Sequence, residues 1–326
     1  MFCSWNGRGA SKKGFVKTVV DLRKIFHFEV LAILEPRISG DRACKVMDKL
    51  GFTDRFVVEA SGFSGGIWLL WSASLVKLKV VASYKYSISA VVADGSNFWV
   101  LTIVYANPCA TIRRCIWDYL SAIRNCFLGP WVVMGDFNEI VSSEEKRGGR
   151  SCFTKTGFGD WIGNNKLVDL GFIGQKFTWM ARRGVREDIW ERLDRALCSM
   201  DWRSTFAEGF VQHLPRVSSD HCPIMLSLRS YHIPRNFLKP FRFEAMWLKH
   251  EQFGELVKQR WGVHNGNIVE KVNSLTDKLR DWNRDTFGCI FQRKRRILAR
   301  INGIQKSLGA RFRLSLTNLE VKLREE

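Results

Sequence analysis

Trp131-Val132-Val133-Met134-Gly135-Asp136-Phe137-Asn138-Glu139 is the stretch from which the rest of the chain is read. Its opening run of four apolar residues is what a strand buried on both faces requires. Gly135 frees the backbone, and Asp136 and Asn138 follow at the strand's end with Phe137 between them. In an extended segment alternate side chains share a face, so the carboxylate and the carboxamide point one way and Phe137 the other. Such a pair can aim oxygen-rich groups at one phosphate or metal ion. Asp and Asn after a strand are also ordinary turn residues, so the weight falls on what accompanies them.

Outward from this stretch, strands and helices alternate. Residues 2–6 read as a first strand ending at Asn6, followed by the loop Gly7-Arg8-Gly9. Residues 13–27 carry Phe15, Val19 and Leu22 at helical spacing with Lys17, Arg23 and Lys24 between them, an amphipathic helix. Val30–Leu34 is a buried strand that delivers Glu35 at its end, where Pro36 prevents a helix from starting. Arg42–Leu50 is a second helix. Five β segments follow: Arg55–Glu59, Gly66–Trp71, Val76–Tyr84, Ile88–Ala93 and Phe98–Val104, separated by Gly, Ser, Asn and Asp. Ile112–Cys126 is helical, with Ile112, Ile116, Leu120 and Ile123 on one stripe. Beyond Glu139 the reading gives a basic loop over Ser142–Arg150, a helix over Phe158–Asn165 and a strand over Phe177–Met180. A basic turn over Arg182–Glu187 comes next, then strands Trp190–Leu197, Gly209–Leu214 and Pro223–Leu228. Two sheets packed face to face under outer helices account for this order.

Hydrophobic residues make up 46% and charged residues 25% of the 326, values typical of a globular chain with a sizeable core. No apolar run is long enough for a transmembrane helix, and Met1–Asn6 lacks the pattern of a signal peptide. Nine cysteines without a CxxC pair point to a reducing compartment rather than a disulfide framework or a zinc site. The net charge of +19 points to a polyanionic partner. Residues 231–326 hold 20 of the 51 Lys and Arg against 10 acids, so over half of the excess lies in under a third of the length. Prolines near residues 231–240 mark a linker between a domain over 1–230 and a basic helical segment over 241–326. That segment reads as two or three helices, with Arg293-Lys294-Arg295-Arg296 opening the last. On this division, a chain ending near Ser230 is expected to fold and to keep its activity.

The polar residues at strand ends are Asn6, Glu35, Tyr105 with Asn107, Asp136 with Asn138, Asp194, and Asp220 with His221. In open sheets ligands sit beyond strand ends. Several carboxylates sharing one mouth repel one another unless a cation lies among them. Oxygen donors without a Cys/His cluster suit Mg²⁺ or Mn²⁺.

These segments carry a resemblance. Ser4-Trp5-Asn6-Gly7-Arg8-Gly9, Leu34-Glu35, Val104-Tyr105-Ala106-Asn107-Pro108, Gly135-Asp136-Phe137-Asn138, Arg192-Leu193-Asp194 and Ser219-Asp220-His221 occur in this order. Over residues 4–230 the chain resembles the endonuclease/exonuclease/phosphatase superfamily, the fold of pancreatic-type deoxyribonuclease and the apurinic endonucleases. Leu34-Glu35-Pro36-Arg37-Ile38-Ser39-Gly40, Glu191–Leu197 and Ser219-Asp220-His221-Cys222-Pro223 are similar to the endonuclease domain of plant LINE-type (non-LTR) retrotransposons. Pro240–Trp247 is similar to the helical segment that follows that domain. Gly7 departs from the usual cysteine. No aspartate pair resembling a polymerase site is found, so the expectation is an endonuclease part without reverse transcriptase.

The resemblance implies an α/β (α+β) four-layer sandwich of two mixed sheets with outer helices, deoxyribonuclease-like, plus a C-terminal helical appendage. It implies a catalytic set of Asn6, Glu35, Tyr105, Asp136, Asn138, Asp194, Asp220 and His221, with Glu35, Asn6, Asp136 and Asp220 toward Mg²⁺ or Mn²⁺. In that set Asp136 orients or deprotonates the attacking water, held by Asn138. His221 meets the scissile phosphate with Asp194 fixing its tautomer, and Tyr105 stabilises the phosphate oxygens or the leaving group. Lys146, Arg147 and Arg150 in one loop and Arg182, Arg183 and Arg186 in another are candidate DNA contacts, with a solvated loop as the alternative. The implied activity is DNA nicking that exposes a 3′-hydroxyl for reverse transcription, in the nucleus, with RNA a second partner for the basic tail. Two alternatives stand beside it. One is hydrolysis of apurinic sites or other phosphate esters, and the other is a nucleic-acid-binding remnant of a retroelement.

Overall fold

The apolar runs of the first 230 residues become the strands of two six-stranded sheets. In chain order the elements begin with β1 (Phe2–Asn6), α1 (Phe15–Phe26), β2 (Val30–Leu34), α2 (Gly40–Asp48), β3 (Asp54–Val58) and β4 (Ile67–Trp71). They continue with β5 (Lys77–Tyr84), β6 (Ser87–Asp94), β7 (Asn97–Tyr105), α3 (Ala110–Cys126), β8 (Trp131–Asp136) and β9 (Lys146–Arg147). Then come α4 (Gly157–Asn164), β10 (Leu167–Asp169), β11 (Trp179–Arg183), β12 (Arg186–Glu191) and β13 (Asp194–Ser199). The last are α5 (Met200–Thr205), β14 (Phe210–His213), β15 (Ile224–Ser227), α6 (Phe253–Val263), α7 (Ile268–Thr286), α8 (Ile290–Ala310) and α9 (Leu314–Glu325). This computed structural model describes all residues but 61–64, 96, 150–156, 184–185, 230–242, 244, 264–267, 287–289, 311–312 and 326.

One sheet has the order β14-β15-β1-β2-β4-β3 and the other β10-β13-β8-β7-β6-β5. Each is mixed: β1 and β2 run parallel in the first, β7 and β8 in the second, and the other pairings are antiparallel. The period of two assigns the faces. Val30, Ala32 and Leu34 of β2 share a buried cluster with Ile88, Ala90, Ile103 and Val133 of the second sheet. Leu31 and Ile33, one residue out of phase, pack instead with Phe15, Val19 and Leu22 of α1 and Met47 of α2. On the second sheet's outer side, Trp117 of α3 stacks on Phe137, Phe158 and Trp161. The result is the four-layer sandwich, and β8 is buried throughout as its apolar run requires.

Several elements differ from the sequence reading. Trp190–Leu197 is not one strand: β12 ends at Glu191 and β13 begins at Asp194, in different sheets. Trp190, Leu193 and Leu197 are all buried, so the chain changes sheets without any break in its hydrophobic pattern. Lys146 and Arg147 form β9, which with β11 and β12 makes a third sheet of three strands. The strand expected over Phe177–Met180 runs from Trp179, and the basic turn is the closing end of the β11–β12 hairpin. β10 and α5 were not foreseen, and Ile112 of the expected α3 stripe is exposed.

The chain divides into two compact units, Met1–Ser230 with Ile297–Glu326, and Tyr231–Arg296. The boundary expected after residue 230 therefore differs at the far end, because the last thirty residues return to the first unit. Ile297, Ile301, Ile304 and Leu308 recur along α8 at three- and four-residue spacing, and with Leu323 of α9 they cover Phe177, Met180 and Trp190. The stretch Arg293–Arg296 lies inside α8, and a further helix follows it. The other unit has its own small core of Trp247, Leu279 and Trp282 with Phe253, Leu256 and Leu275. Among the described residues no helix is long and apolar enough to cross a membrane.

Fully burying one Ile or Leu contributes about 1.5–3 kcal/mol, so losing several such contacts approaches a domain's whole net stability of about 5–15 kcal/mol. Ending the chain after Ser230 is therefore expected to expose Phe177, Met180 and Trp190 and to yield aggregated or unfolded protein. Leu308→Ala should cost about 2–5 kcal/mol. Chemical denaturation of both variants checks this, and a truncated protein as stable as the full chain would contradict it.

Candidate active site

The two parallel strand pairs end side by side. β1 delivers Asn6 beside Leu34 at the end of β2, and β7 delivers Tyr105 beside Asp136 at the end of β8. β13 runs antiparallel to β8 and places Asp194 directly opposite Asp136. The segment between β14 and β15 brings Ser219, Asp220 and His221. At Gly135, φ is +145° and an added Cβ would lie 2.0 Å from the carbonyl oxygen of Val104. Only glycine lets β8 pass so close to β7 just before Asp136. Phe137 turns to the opposite face and is fully buried, as alternation predicts.

The polar groups form a hydrogen-bonded chain from Tyr105 to Asn138, with a second pair, His221 and Asp194, facing it. Asn6 Nδ2 donates to Asp136 Oδ2 at 2.9 Å and reaches Glu35 Oε1 at 3.5 Å. The Tyr105 hydroxyl donates to the same Glu35 oxygen at 2.6 Å. The Asn138 backbone N–H donates to Asp136 Oδ1 at 2.9 Å, while its side chain is tied to the Ala106 carbonyl at 2.8 Å. His221 Nδ1 lies 2.9 Å from Asp194 Oδ2, and its Nε2 lies 3.8 Å from Asp136 Oδ2. Thr178 Oγ1 accepts the backbone N–H groups of Leu193 and Asp194. Ser219 Oγ donates to the Asn6 carbonyl at 2.8 Å, and Trp5 Nε1 to the His221 carbonyl at 3.2 Å. Asn6, Asp136, Asp194 and His221 are all buried.

Burial sets the electrostatics. Burial and the neighbouring charge of Asp194 push the Asp136 carboxyl up to about 7, against the opposing pull of His221. Burial alone would lower His221, but Asp194 and then Asp136 outweigh it and hold the imidazole at about 9. Burial and Glu35 raise the Tyr105 hydroxyl, which stays protonated. Burial opposes ionisation of Asp220, but the charges of His221 and Arg8 outweigh it and lower its pKa.

Among the described residues, Asp136, Asp194 and His221 form the group whose ligand-type atoms lie within 4.8 Å of one another. His221 is hydrogen-bonded to Asp194 at 2.9 Å and faces Asp136 at ion-pair distance, 3.8 Å, on its other side. Burial and then the charge of Asp194 disfavour the ionised Asp136, a cost that a bound cation would offset, and Glu35, Asn6 and Asp136 offer oxygen donors suited to a hard divalent ion. Glu35 also pairs with Arg37, and Asp220 with Arg8 and Trp179 Nε1. Asp220 thus faces a cationic side chain rather than joining the Glu35–Asn6–Asp136 chain.

The expected DNA contacts stand differently. Lys146 is paired to Glu191 at 2.8 Å. Arg147 donates to the carbonyls of Leu308 and Gly309 and lies over Trp190. Both are engaged within the protein. Arg182 is exposed, Arg150 lies outside the described residues, and so do the side chains of Arg183 and Arg186. Arg8, Arg37, Thr178 and Trp179 were missed as neighbours of the site. Arg8 and Arg37 sit within the quoted motifs, and their positive φ of 43° and 55° is a backbone property that residue type alone does not announce.

Because its folded-state pKa lies above the ordinary value of 6.5, His221 contributes stability fully below that value and loses it as pH rises through about 9. Asp194→Asn removes the largest raising charge. The imidazole pKa should fall toward or below the ordinary value and the stability loss should move to lower pH. NMR titration of the His221 ring in chelator checks this, and an unmoved pKa would refute the assignment.

Comparison with known proteins supports the same site-bearing fold. The endonuclease domain of TRAS1, a telomere-specific non-LTR retrotransposon, is 15% identical with a TM-score of 0.51, over 70% of this chain and 97% of that one. The apurinic endonuclease LMAP from Leishmania major is 14% identical with a TM-score of 0.52, over 69% and 86%. A 3′ phosphatase, NExo, from Neisseria, bound to a product DNA hairpin, is 16% identical with a TM-score of 0.51, over 69% and 98%. These likenesses establish the fold. No curated protein matches the chain. Residues 3–221, which carry every group of the hydrogen-bonded chain, match the Endonuclease/Exonuclease/phosphatase family, and the chain belongs to that family.

Proposed function

We propose that this chain is a divalent-metal-dependent endonuclease that nicks DNA by in-line attack of water on a phosphodiester. The observation that carries the reading is the continuous contact of Asp194, His221, Asp136 and Asn6, with Glu35 and Tyr105 beside them. Asp136, poised near neutrality, takes the proton of the attacking water while Asn6 and Asn138 hold its two oxygens. His221 is cationic at neutral pH and its Nδ1 is committed to Asp194, so Nε2 donates to the phosphate oxygen that gains charge. The protonated Tyr105 hydroxyl is a second donor. Glu35, Asn6 and Asp136 would hold Mg²⁺ or Mn²⁺, which when bound neutralises phosphate charge. Asp220, paired with Arg8, tunes the mouth of the site.

The net charge of +19 supports a polyanionic substrate. The LINE-type motifs support a nick that leaves a 3′-hydroxyl for reverse transcription on nuclear DNA. Exposed Arg182 and the neighbouring Arg183 and Arg186 are the proposed grip on duplex phosphates.

Supercoiled plasmid, a duplex with an abasic site and a duplex with a 3′-phosphate, each with Mg²⁺ or chelator, separate nicking from its alternatives. Plasmid nicking that chelator abolishes is expected. Asp136→Ala should abolish cleavage while leaving DNA binding, and Glu35→Gln should raise the Mg²⁺ requirement. Asp194→Asn should cost much of what His221→Ala costs, with a strongly non-additive double variant. Wild-type cleavage by either acid variant would sink the assigned site, and turnover of the abasic or 3′-phosphate substrate alone would replace nicking by that activity.

A further inference from the structure

The segment from Leu214 to His221 ends in catalytic groups; Ser218 is tied to Thr18 of α1 at 3.0 Å, yet Arg216 is held from outside the first 230 residues. At its catalytic end it is tied by Ser219 to Asn6, by the Asp220 carbonyl to the Met180 N–H at 3.1 Å, and by the His221 carbonyl to Trp5. At Arg216 both backbone polar groups go to one side chain of α8. The Arg216 N–H donates to Gln305 Oε1 at 3.0 Å, and Gln305 Nε2 donates to the Arg216 carbonyl at 2.9 Å. Arg324 of α9 donates to the same carbonyl at 2.9 Å. Among the described residues these are the partners of that backbone.

The amide of Gln305 has a fixed sense. Its Nε2 also donates to Glu320 Oε1 at 2.7 Å, and a carboxylate can only accept, so the nitrogen faces Glu320 and the oxygen faces the Arg216 N–H. Gln305 and Glu320 are each 1% exposed. The Arg216 guanidinium is itself buried, 4.9 Å over the Trp190 ring, and its Nε and Nη1 lack protein partners. A buried cation of this kind is poor material for stability alone. A second tie joins α8 to β9 through Arg147, which donates to the carbonyls of Leu308 and Gly309.

We infer that α8 from Ile297 onward and α9 belong to the catalytic unit, and that Gln305 is a positioning residue that holds the Arg216–His221 segment so that the imidazole meets its substrate. This rests on the proposed nuclease function. Losing the amide frees the segment without touching substrate, and a displacement of about 1 Å at a reacting group can cost about a hundredfold in rate.

The test uses the full chain. Gln305→Leu keeps the volume and removes the amide; Glu320→Gln keeps the packing and lets the amide turn; Ser307→Ala, on the exposed face of α8, is the control. Plasmid nicking with Mg²⁺, hydrogen exchange over residues 214–222 and thermal melting are measured together. Gln305→Leu should lower kcat about tenfold or more with KM within about twofold. It should speed exchange at 216–221 and leave exchange in the two large sheets unchanged. Glu320→Gln should show the same pattern more weakly, and Ser307→Ala none of it. Wild-type kcat and protection in Gln305→Leu overturn the inference, as does a loss spread evenly over the whole protein in both variants. If the wild-type chain does not nick DNA, the proposed function fails, and exchange over 214–222 alone decides whether Gln305 holds the segment.

Discussion

The hydrogen bond from Asn6 to Asp136 spans the gap between two sheets. Asn6 ends the parallel pair of one sheet and Asp136 ends the parallel pair of the other. Their contact at 2.9 Å requires the inner faces to be packed in register. Every other group of the site is placed relative to this bond. Tyr105 lies beside Asp136 by strand pairing, Glu35 follows β2, and Asp194 stands opposite Asp136 on β13. The alternating core residues of β2, β6, β7 and β8 therefore do more than fill volume, because they set the spacing at which the two strand ends meet.

Burial at this junction carries a cost that the chain meets with paired charges. Around the site, Arg192 and Arg195 are held by Glu145 and Asp169 at 2.7–3.2 Å, and Arg113 by Glu139 at 2.6 Å. These ties fasten the loop after β8 onto the start of β13, where Asp194 begins. Inside the site the balance is left incomplete. Asp136 and Asp194 share one imidazole; their two charges raise His221, while burial keeps Asp136 near neutrality. A structural ion pair would be evenly matched, whereas an acid–base site is tuned by such an imbalance.

The same logic reaches the end of the chain. The apolar stripe of α8 and the sheet formed by β9, β11 and β12 each lack a partner until they meet. Their meeting buries Arg216, Gln305 and Glu320, and it ties the half-buried Arg147, which sequence assigns to DNA contact, to the carbonyls of α8. Lys146 and Arg147 illustrate the point: both are basic and both lie in a loop-like stretch, yet one is committed to Glu191 and the other to helix carbonyls.

Most strands of the two large sheets and the polar residues at their ends were legible in the sequence, because apolar runs and period-two alternation are local properties and the motifs are contiguous; the short β9 and β10 were not. Val30–Leu34 with Glu35, and Trp131–Met134 with Gly135 and Asp136, could be read without knowing their neighbours. Tertiary structure alone decided which polar ends touch. It showed that Glu35 faces Arg37, that Asp220 faces Arg8, and that Asp136 rather than Asp220 joins His221 and Asp194 in one cluster of ligand-type atoms. It also placed the sheet change at Arg192–Leu193, where no glycine, proline or turn residue marks a break and burial continues on both sides. And it returned Ile297–Glu326 to the first unit. An amphipathic helix announces that one face must be covered, but its sequence does not say by what. That choice is made by distant residues, here Phe177, Met180 and Trp190, which only the folded chain brings to it.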